Sequence, residues 1–168
     1  MPWLDIKGTV VADTVYVDKQ LAAKDVAFTL PAVTLLTADV QAMGTMSIPL
    51  VGLLEDMELA ITKIGIDKGL SSMSKLEKLN IEFRWVQNVV KADGTTTPEG
   101  CKAFVRCIPK ALPGLGVEVG AATEGELTYG VSRLQIFAAG SEYLLVDRLS
   151  QILRVNGKDY MKNINSLL

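Results

Sequence analysis

Residues 79–90 read LNIEFRWVQNVV. Leu79, Ile81, Phe83 and Trp85 fall on one side of an extended chain, and Asn80, Glu82 and Arg84 fall on the other. A period of two with one apolar face is the pattern of a strand that covers a core on one side only. Phe83-Arg84-Trp85 is the only place where aromatic and basic residues interleave. Alternation puts Arg84 opposite the two rings, so the cluster reads as core packing and not as a stacking platform for single-stranded nucleic acid.

The same grammar extends in both directions. Downstream, Asp93-Gly94 marks a turn within the polar stretch ADGTTTPEG, and residues 102–112 return as a strand with Pro109 near its end. Residues 127–138 make a long strand. Gly140-Ser141 fits a two-residue hairpin turn with Gly first, and residues 142–149 return from it. Asn156-Gly157 is the strongest local turn signal in the chain. Asp159 then stands as the cap of a last helix over 159–167, with Tyr160, Ile164 and Leu167 at helical spacing. Upstream, residues 9–17 are rich in β-branched side chains and end at the turn pair Asp18-Lys19. LAAKDVAFTL, residues 21–30, follows as a second strand closed by Pro31. Residues 57–66 form another strand, and Asp67 is placed to cap a short helix over 68–76 through Leu70, Met73 and Leu76. About seven strands with two helices that do not alternate with them imply an antiparallel β-sandwich or half-barrel, mainly β, in a single domain over 1–168.

One segment resists this reading. VQAMGTMSIPLVGLL, residues 40–54, contains no charged side chain, yet Gln41, Gly44, Ser47, Pro49 and Gly52 interrupt it and neither the helical nor the strand period is clean. Residues 31–56 therefore read as one long connection, and a connection of that length in a compact domain tends to be functional.

Composition excludes several function classes. The 168 residues carry 17 basic and 19 acidic side chains, a net charge of −2, which offers no basic stripe for nucleic acid. There is no histidine, which removes the commonest general base and the commonest zinc ligand. Cys101 and Cys107 on one strand would stand about 20 Å apart at ~3.3 Å per residue, too far for a bridge that needs Cα atoms within about 7 Å, so they read as two buried thiols. GLGVEVG at 114–120 has the spacing GxGxxxG, and no helix is expected after it to hold a pyrophosphate. Glu118, Glu124 and Glu126 read as a solvated acidic face. No P-loop, CxxC pair, HExxH or GxSxG occurs. The chain is expected to be no enzyme and to need no cofactor or metal. Met1-Pro2-Trp3-Leu4-Asp5 lacks the form of a leader, and no window reaches the roughly 20 apolar residues of a membrane span, so no membrane anchor is expected and the protein is expected to be soluble and cytoplasmic at synthesis.

In the C-terminal half the chain runs IPKALPGLGVEVGAATEGELTYGVSRLQIFAAGSEYLLVD and then RVNGKDY. Pro109-Lys110 before a turn, the Gly-Ala-Ala-Thr-Glu run at 120–124, and Glu126-Leu127-Thr128-Tyr129 stand there in order. They are followed by the Gly-x-Glu hairpin at 140–142, Asp147, and Arg154-Val155-Asn156-Gly157 before Asp159-Tyr160. In this order and spacing, and in the first hairpin ending at Leu30-Pro31, the chain resembles the major tail tube proteins of contractile phage tails and R-type bacteriocins. The likeness covers most of the chain and is densest over 108–160. It departs at the first turn, where Asp18-Lys19 replaces a Gly-containing pair.

The resemblance implies a ring-forming tail tube fold. Six subunits would close a ring around a continuous inner β-barrel, and rings would stack into a hollow tube inside a contractile sheath. That tube would conduct DNA, ions or effector through a target envelope. Implied partners are further copies of the chain, the sheath protein, a tape measure protein and a baseplate or initiator protein, with non-specific passage of DNA in a phage. The setting would be a virion or phage-tail-like particle assembled in the bacterial cytoplasm. The 31–56 connection would then be an interaction loop, with Val40, Met43, Met46, Ile48, Leu50 and Leu53 as its intersubunit residues. Met suits irregular surfaces, Gly allows close approach, and lack of charge avoids desolvation. A mildly negative lumen would repel phosphates, and Glu58, Glu82 and Glu126, at polar-face positions of strands, are its candidates. A type VI secretion-like tube protein is the nearest alternative, and a monomeric ligand-binding β-barrel a more distant one.

Overall fold

The computed structural model describes residues 5–168; the leader reading, made on residues 1–5, falls outside them in all but Asp5. Twelve strands and two short helices follow in the order β1 (Ile6–Val17), β2 (Gln20–Lys24), β3 (Ala27–Thr29), β4 (Leu35–Gln41), β5 (Thr45–Leu54), β6 (Glu58–Ile64), α1 (Lys68–Met73), β7 (Leu79–Val90), β8 (Thr96–Ala111), β9 (Glu124–Ala138), β10 (Ser141–Asp147), β11 (Ile152–Val155), β12 (Lys158–Asp159) and α2 (Lys162–Asn165). All ladders are antiparallel. The chain is mainly β, as its alternation indicates.

The main sheet runs β12-β11-β10-β9-β8-β7-β1-β2, and β6 also pairs with β9 and carries β3. Strand β9 is long enough to serve two neighbours on one edge. Its first half pairs with β6 (Leu127↔Ile61), and its second half with β10 (Leu134↔Val146). Between the halves a register shift against β8 at Arg106/Cys107 changes the phase of alternation. Inward residues are Leu127, Tyr129 and Val131 before it and Leu134 after it, all buried. This divides the sheet into two parts that fold over one core. Phe28 of β3 crosses to meet Phe83 and Trp85 of β7, with ring centroids 4.4 and 5.8 Å apart.

Helix α1 closes one end of that core with Leu70 and Met73. Asp67 caps it by accepting from the Leu70 amide at 2.9 Å, and buried Lys63 pairs with the same carboxylate at 2.9 Å. These two contacts, the amide first, hold the Asp67 carboxyl below its usual range. Tyr129 donates its hydroxyl to the Met73 carbonyl at 2.7 Å, tying the spine strand to the helix end. Gly69 lies against the Ala22 carbonyl of β2, where any Cβ would collide with backbone.

Several expected boundaries move. Residues 21–30 are two strands, not one. Asp25 turns left-handed at φ 51° and the Asp13 carboxylate accepts from Val26, which sends β3 across to β6. Strand β8 begins at Thr96, six residues early, because Pro98 sits where β8 has β7 alone as neighbour and its missing N–H faces an open edge. The helix expected to 76 ends at Met73, leaving Leu76 exposed. Asp159 belongs to β12 and accepts from the Met161 amide in a turn; the final helix is only Lys162–Asn165. The β9–β10 turn is centred on Ala139-Gly140, one residue earlier than read, with both φ positive. Asp18-Lys19 likewise holds φ 48° and 71°, so the first hairpin makes a primed two-residue turn without glycine.

Among the described residues, the Tyr129 hydroxyl is the polar group that joins β9 to the α1 terminus inside the core. Tyr129→Phe leaves the buried Met73 carbonyl without its donor and is expected to lower unfolding free energy by about 1–3 kcal/mol in urea denaturation with unchanged slope. Undiminished stability would show that the carbonyl finds another partner.

Candidate functional site

The largest correction concerns 31–56. It is not a connection without structure. Residues 35–54 form the hairpin β4–β5, a two-stranded sheet of its own that no other strand joins among the described residues. Its tip turns at Met43 (φ 53°) and Gly44 (φ 115°), where glycine tolerates a conformation that strains other residues. Along β5 burial does alternate from Ile48 on: Ile48, Leu50, Gly52 and Leu54 are half-buried, and Pro49, Val51 and Leu53 are exposed. The period is invisible in the sequence because both faces are apolar. Val51, which sequence reasoning left out, belongs with the exposed set, as does Leu36.

Of the six candidate loop residues, Val40, Met43, Met46 and Leu53 are exposed, and Ile48 and Leu50 face inward and are half-covered. Val40 and Met46 are direct cross-strand partners, so they form one apolar patch near the tip. Asp39 is the only charged side chain between Thr34 and Leu54. An isolated two-stranded hairpin is marginal in water, and this one has apolar side chains on both faces.

Its root is held to the body by polar contacts. The Arg148 guanidinium, in the turn after β10, donates to the Glu55 and Leu54 carbonyls at 3.1 and 3.2 Å. Asp147 orders that turn by accepting from the amides of Leu149 and Ser150. Lys110 pairs with Asp56 and, at 3.6 Å, with Glu58. Hydrogen bonding to Asp56 raises the Lys110 ammonium above its usual value and lowers the carboxyl, so both are charged at neutral pH. Gly52 (φ 103°) seats against Met161, whose sulfur would lie 2.7 Å from an added Cβ. Beside it opens an apolar cleft of about 480 Å³ between the hairpin root and the C-terminal segment.

The second candidate set lies elsewhere. Register places Glu58 against Gly130, Glu126 against Thr62, and Glu82 against Phe104. All three glutamates are therefore on the face of the main sheet turned away from the core. That face is not acidic, contrary to the mildly negative surface expected. Arg84, Lys102, Arg106, Lys110 and Arg133 alternate onto it as well. Glu82 pairs with Arg84 at 2.6 Å and Glu58 with Lys110, while Glu126 has no ion-pair partner among the described residues. Arg84 also lies over the Tyr16 ring at 4.6 Å. Charges of both signs sit on opposed strands, so the surface is polar and close to balanced.

The edges of this sheet are incompletely used. The first half of β1 pairs only with β7, and Ile6, Val10 and Val11 are exposed there. An apolar stretch over 112–123, with Leu112, Leu115, Val117 and Val119 exposed, joins β8 to β9. It contains GLGVEVG, and strand β9 follows it, so no helix N-terminus stands where a pyrophosphate would need one. Cys101 and Cys107 are both buried and unbridged, and burial pushes the Cys107 thiol up to about 12. Among the described residues no three His, Cys, Asp or Glu side chains gather to hold a metal, and no helix is long and apolar enough to cross a membrane.

Comparison with known proteins agrees with this architecture. The family model described as phage tail tube protein FII matches residues 9–168. Among solved structures, a chain of the PVC sheath-tube complex of an extracellular contractile injection system, in the extended state, superposes with a TM-score of 0.51 at 14% identity, covering 75% of this chain and 88% of that one. A chain of the PVC sheath/tube terminator in the extended state gives a TM-score of 0.53 at 14% identity, covering 75% and 93%. At that identity the two structures speak for the fold. No curated protein matches the chain significantly.

Arg148 is the fork that fixes the hairpin root. Arg148→Ala is expected to speed amide hydrogen exchange across 35–54 by roughly tenfold, since two hydrogen bonds to a charged donor are lost, with protection of β7–β9 unchanged. Unchanged exchange in the hairpin would mean that apolar seating on Met161 suffices.

Proposed function

As the chain belongs to the phage tail tube protein FII family, it is a structural tube subunit, and we propose that six copies close into a ring whose stacked repeats make a hollow conduit. The observation that carries this reading is the β4–β5 hairpin. It exposes the large apolar side chains Leu36, Val40, Met43, Met46, Val51 and Leu53, which a single copy does not cover, and large exposed apolar surfaces on soluble chains mark contacts. Seating the hairpin of one copy on a copy in the next ring buries Val40, Met43, Met46, Val51 and Leu53. The patch and its acceptor are different surfaces, so the contact is heterologous and does not close on itself; repetition grows a filament.

Ring closure is supported by the open edge of β1. Strand edges with free N–H and C=O groups template pairing with another chain, and the edge strands β3 and β12 offer counterparts on the far side of the sheet. Joining subunits edge to edge sets the outward faces of β1, β7, β8 and β9 side by side as the wall of a channel. Glu58 and Glu82 then face the lumen with the basic residues that pair with them, Lys110 and Arg84, and Glu126 faces it unpaired among the described residues. A wall whose charges are mutually compensated holds neither polyanions nor polycations strongly, which suits a conduit for DNA, ions or an effector. The exterior is left to a sheath, the channel to a tape measure protein before release, and the first ring to a baseplate or initiator. Assembly takes place in the bacterial cytoplasm, as part of a virion or a phage-tail-like particle. The chain acts by shape, and no residue set described above forms a catalytic centre.

Met46→Asp places a charge in the centre of the exposed patch without touching the main-sheet core. It is expected to leave a folded subunit with native circular dichroism and to abolish rings and tubes in negative-stain images, because a buried unpaired carboxylate costs several kcal/mol per contact. Normal tubes from this variant would remove the hairpin from the interface.

A further inference from the structure

The outward face of the main sheet contains one group that a passive channel wall does not explain. Arg106 of β8 stands directly across from Arg133 of β9 on one side and Asn80 of β7 on the other. Like charges directly opposed on a ladder destabilise the pair. Arg133 is compensated by Asp147 at 3.8 Å and reaches the Gln135 amide oxygen at 3.4 Å. Arg106 has no carboxylate partner among the described residues, and its Nε is buried without an acceptor. Arg106 as a whole is only half-buried and lines an open concavity, so the accessible part of its guanidinium is left to an acceptor from outside the subunit.

The space for that acceptor exists. Arg106 and Arg133 line a concavity of about 630 Å³ together with Asn80, Gln135, Phe104 and Phe137. The two rings lie edge to face with centroids 5.8 Å apart. Guanidinium groups present planar forks that match carboxylates. The rings offer an apolar wall to the methylenes of Glu or Asp, and the two amides offer partners to a peptide backbone.

We propose that Arg106 and Arg133 form an anion site for carboxylates of an extended acidic polypeptide lying along this face. This rests on the reading of the face as the channel wall and makes protein, not nucleic acid, the chain that the wall holds. Glu82 lines the same concavity and Asp147 pairs with Arg133. A nucleic acid strand carries a phosphate at every nucleotide and would bring its charges against these carboxylates. A polypeptide can present single acids at the arginines and neutral residues between them.

The test uses fluorescence anisotropy of a labelled peptide of alternating Glu and Gly, and of a labelled oligothymidylate of equal charge, against the purified protein at low salt. The peptide is expected to bind more tightly than the oligonucleotide. Arg106→Gln is expected to weaken peptide binding roughly tenfold, the loss of a charge-assisted hydrogen-bond set. Lys91→Gln, which removes a cation from the β7–β8 turn, is expected to leave it unchanged. Equal peptide binding by wild type and Arg106→Gln, tighter binding of the oligonucleotide, or no peptide binding at all overturns the proposal. Negative-stain images of Arg106→Gln keep the two readings apart. Tubes are expected to persist; their loss in this variant alone would assign the pair to a subunit contact, overturning the cargo site while the tube stands. Protection of Arg106 from phenylglyoxal by the peptide, read by mass spectrometry on the wild-type protein, gives the same answer if the variant does not fold. Absence of protection overturns the proposal.

Discussion

The structure turns on apolar surface that one copy cannot bury. The main sheet has a single covered face, and its inward residues, from Val15 to Leu153, complete one core. Hairpin β4–β5 adds nothing to that closure beyond its root. It carries Val40, Met46, Val51 and Leu53 into solvent on a two-stranded sheet too small to be stable by packing alone. Such an element persists because its root is clamped by Arg148, Lys110 and the close seat of Gly52 on Met161, and in the proposed tube it gains its remaining burial from another copy. The open edge of β1 poses the same demand in hydrogen bonds instead of apolar area. In the proposed assembly both demands are met by repetition of the chain, which fits the structural role of its family.

The outward sheet face obeys a different constraint. In the proposed tube this face is the channel wall, which has to stay wet and release what passes. Here the solution is not one sign of charge but opposed charges held within the wall, as in Glu82 with Arg84 and Glu58 with Lys110. Exposed ion pairs of this kind contribute little to stability. Their effect is on the field: they cancel each other at short range and leave local exceptions, of which Arg106 beside Arg133 is the most pronounced.

Most of the fold was legible because most strands have one wet face. Residues 79–90 alternate in sequence as they do in space, and the Asn156-Gly157 turn sits between Val155 and Lys158 as its residues require. Legibility failed where that asymmetry is absent. Strand β5 has apolar side chains on both faces, so a strand looked like a loop. Asp25 breaks residues 21–30 through a backbone turn stabilised by Asp13, twelve residues earlier, which no local pattern shows. The balance of charge on the outward face was hidden for a related reason. Arg106 and Arg133 are far apart in sequence, and only register, including the shift at Arg106/Cys107, brings them opposite each other. The hairpin stood out in the sequence as an uncharged run even though its conformation was not visible there.

The most direct measurement is a cryo-electron microscopy reconstruction of the wild-type protein assembled over a concentration series. Hollow rings of six copies that stack into tubes are expected, with the face carrying Glu58, Glu82 and Glu126 toward the channel and the tip of each hairpin buried on the next ring. Tubes with that face turned outward, or rings in which Val40, Met43 and Met46 remain in solvent, would contradict it.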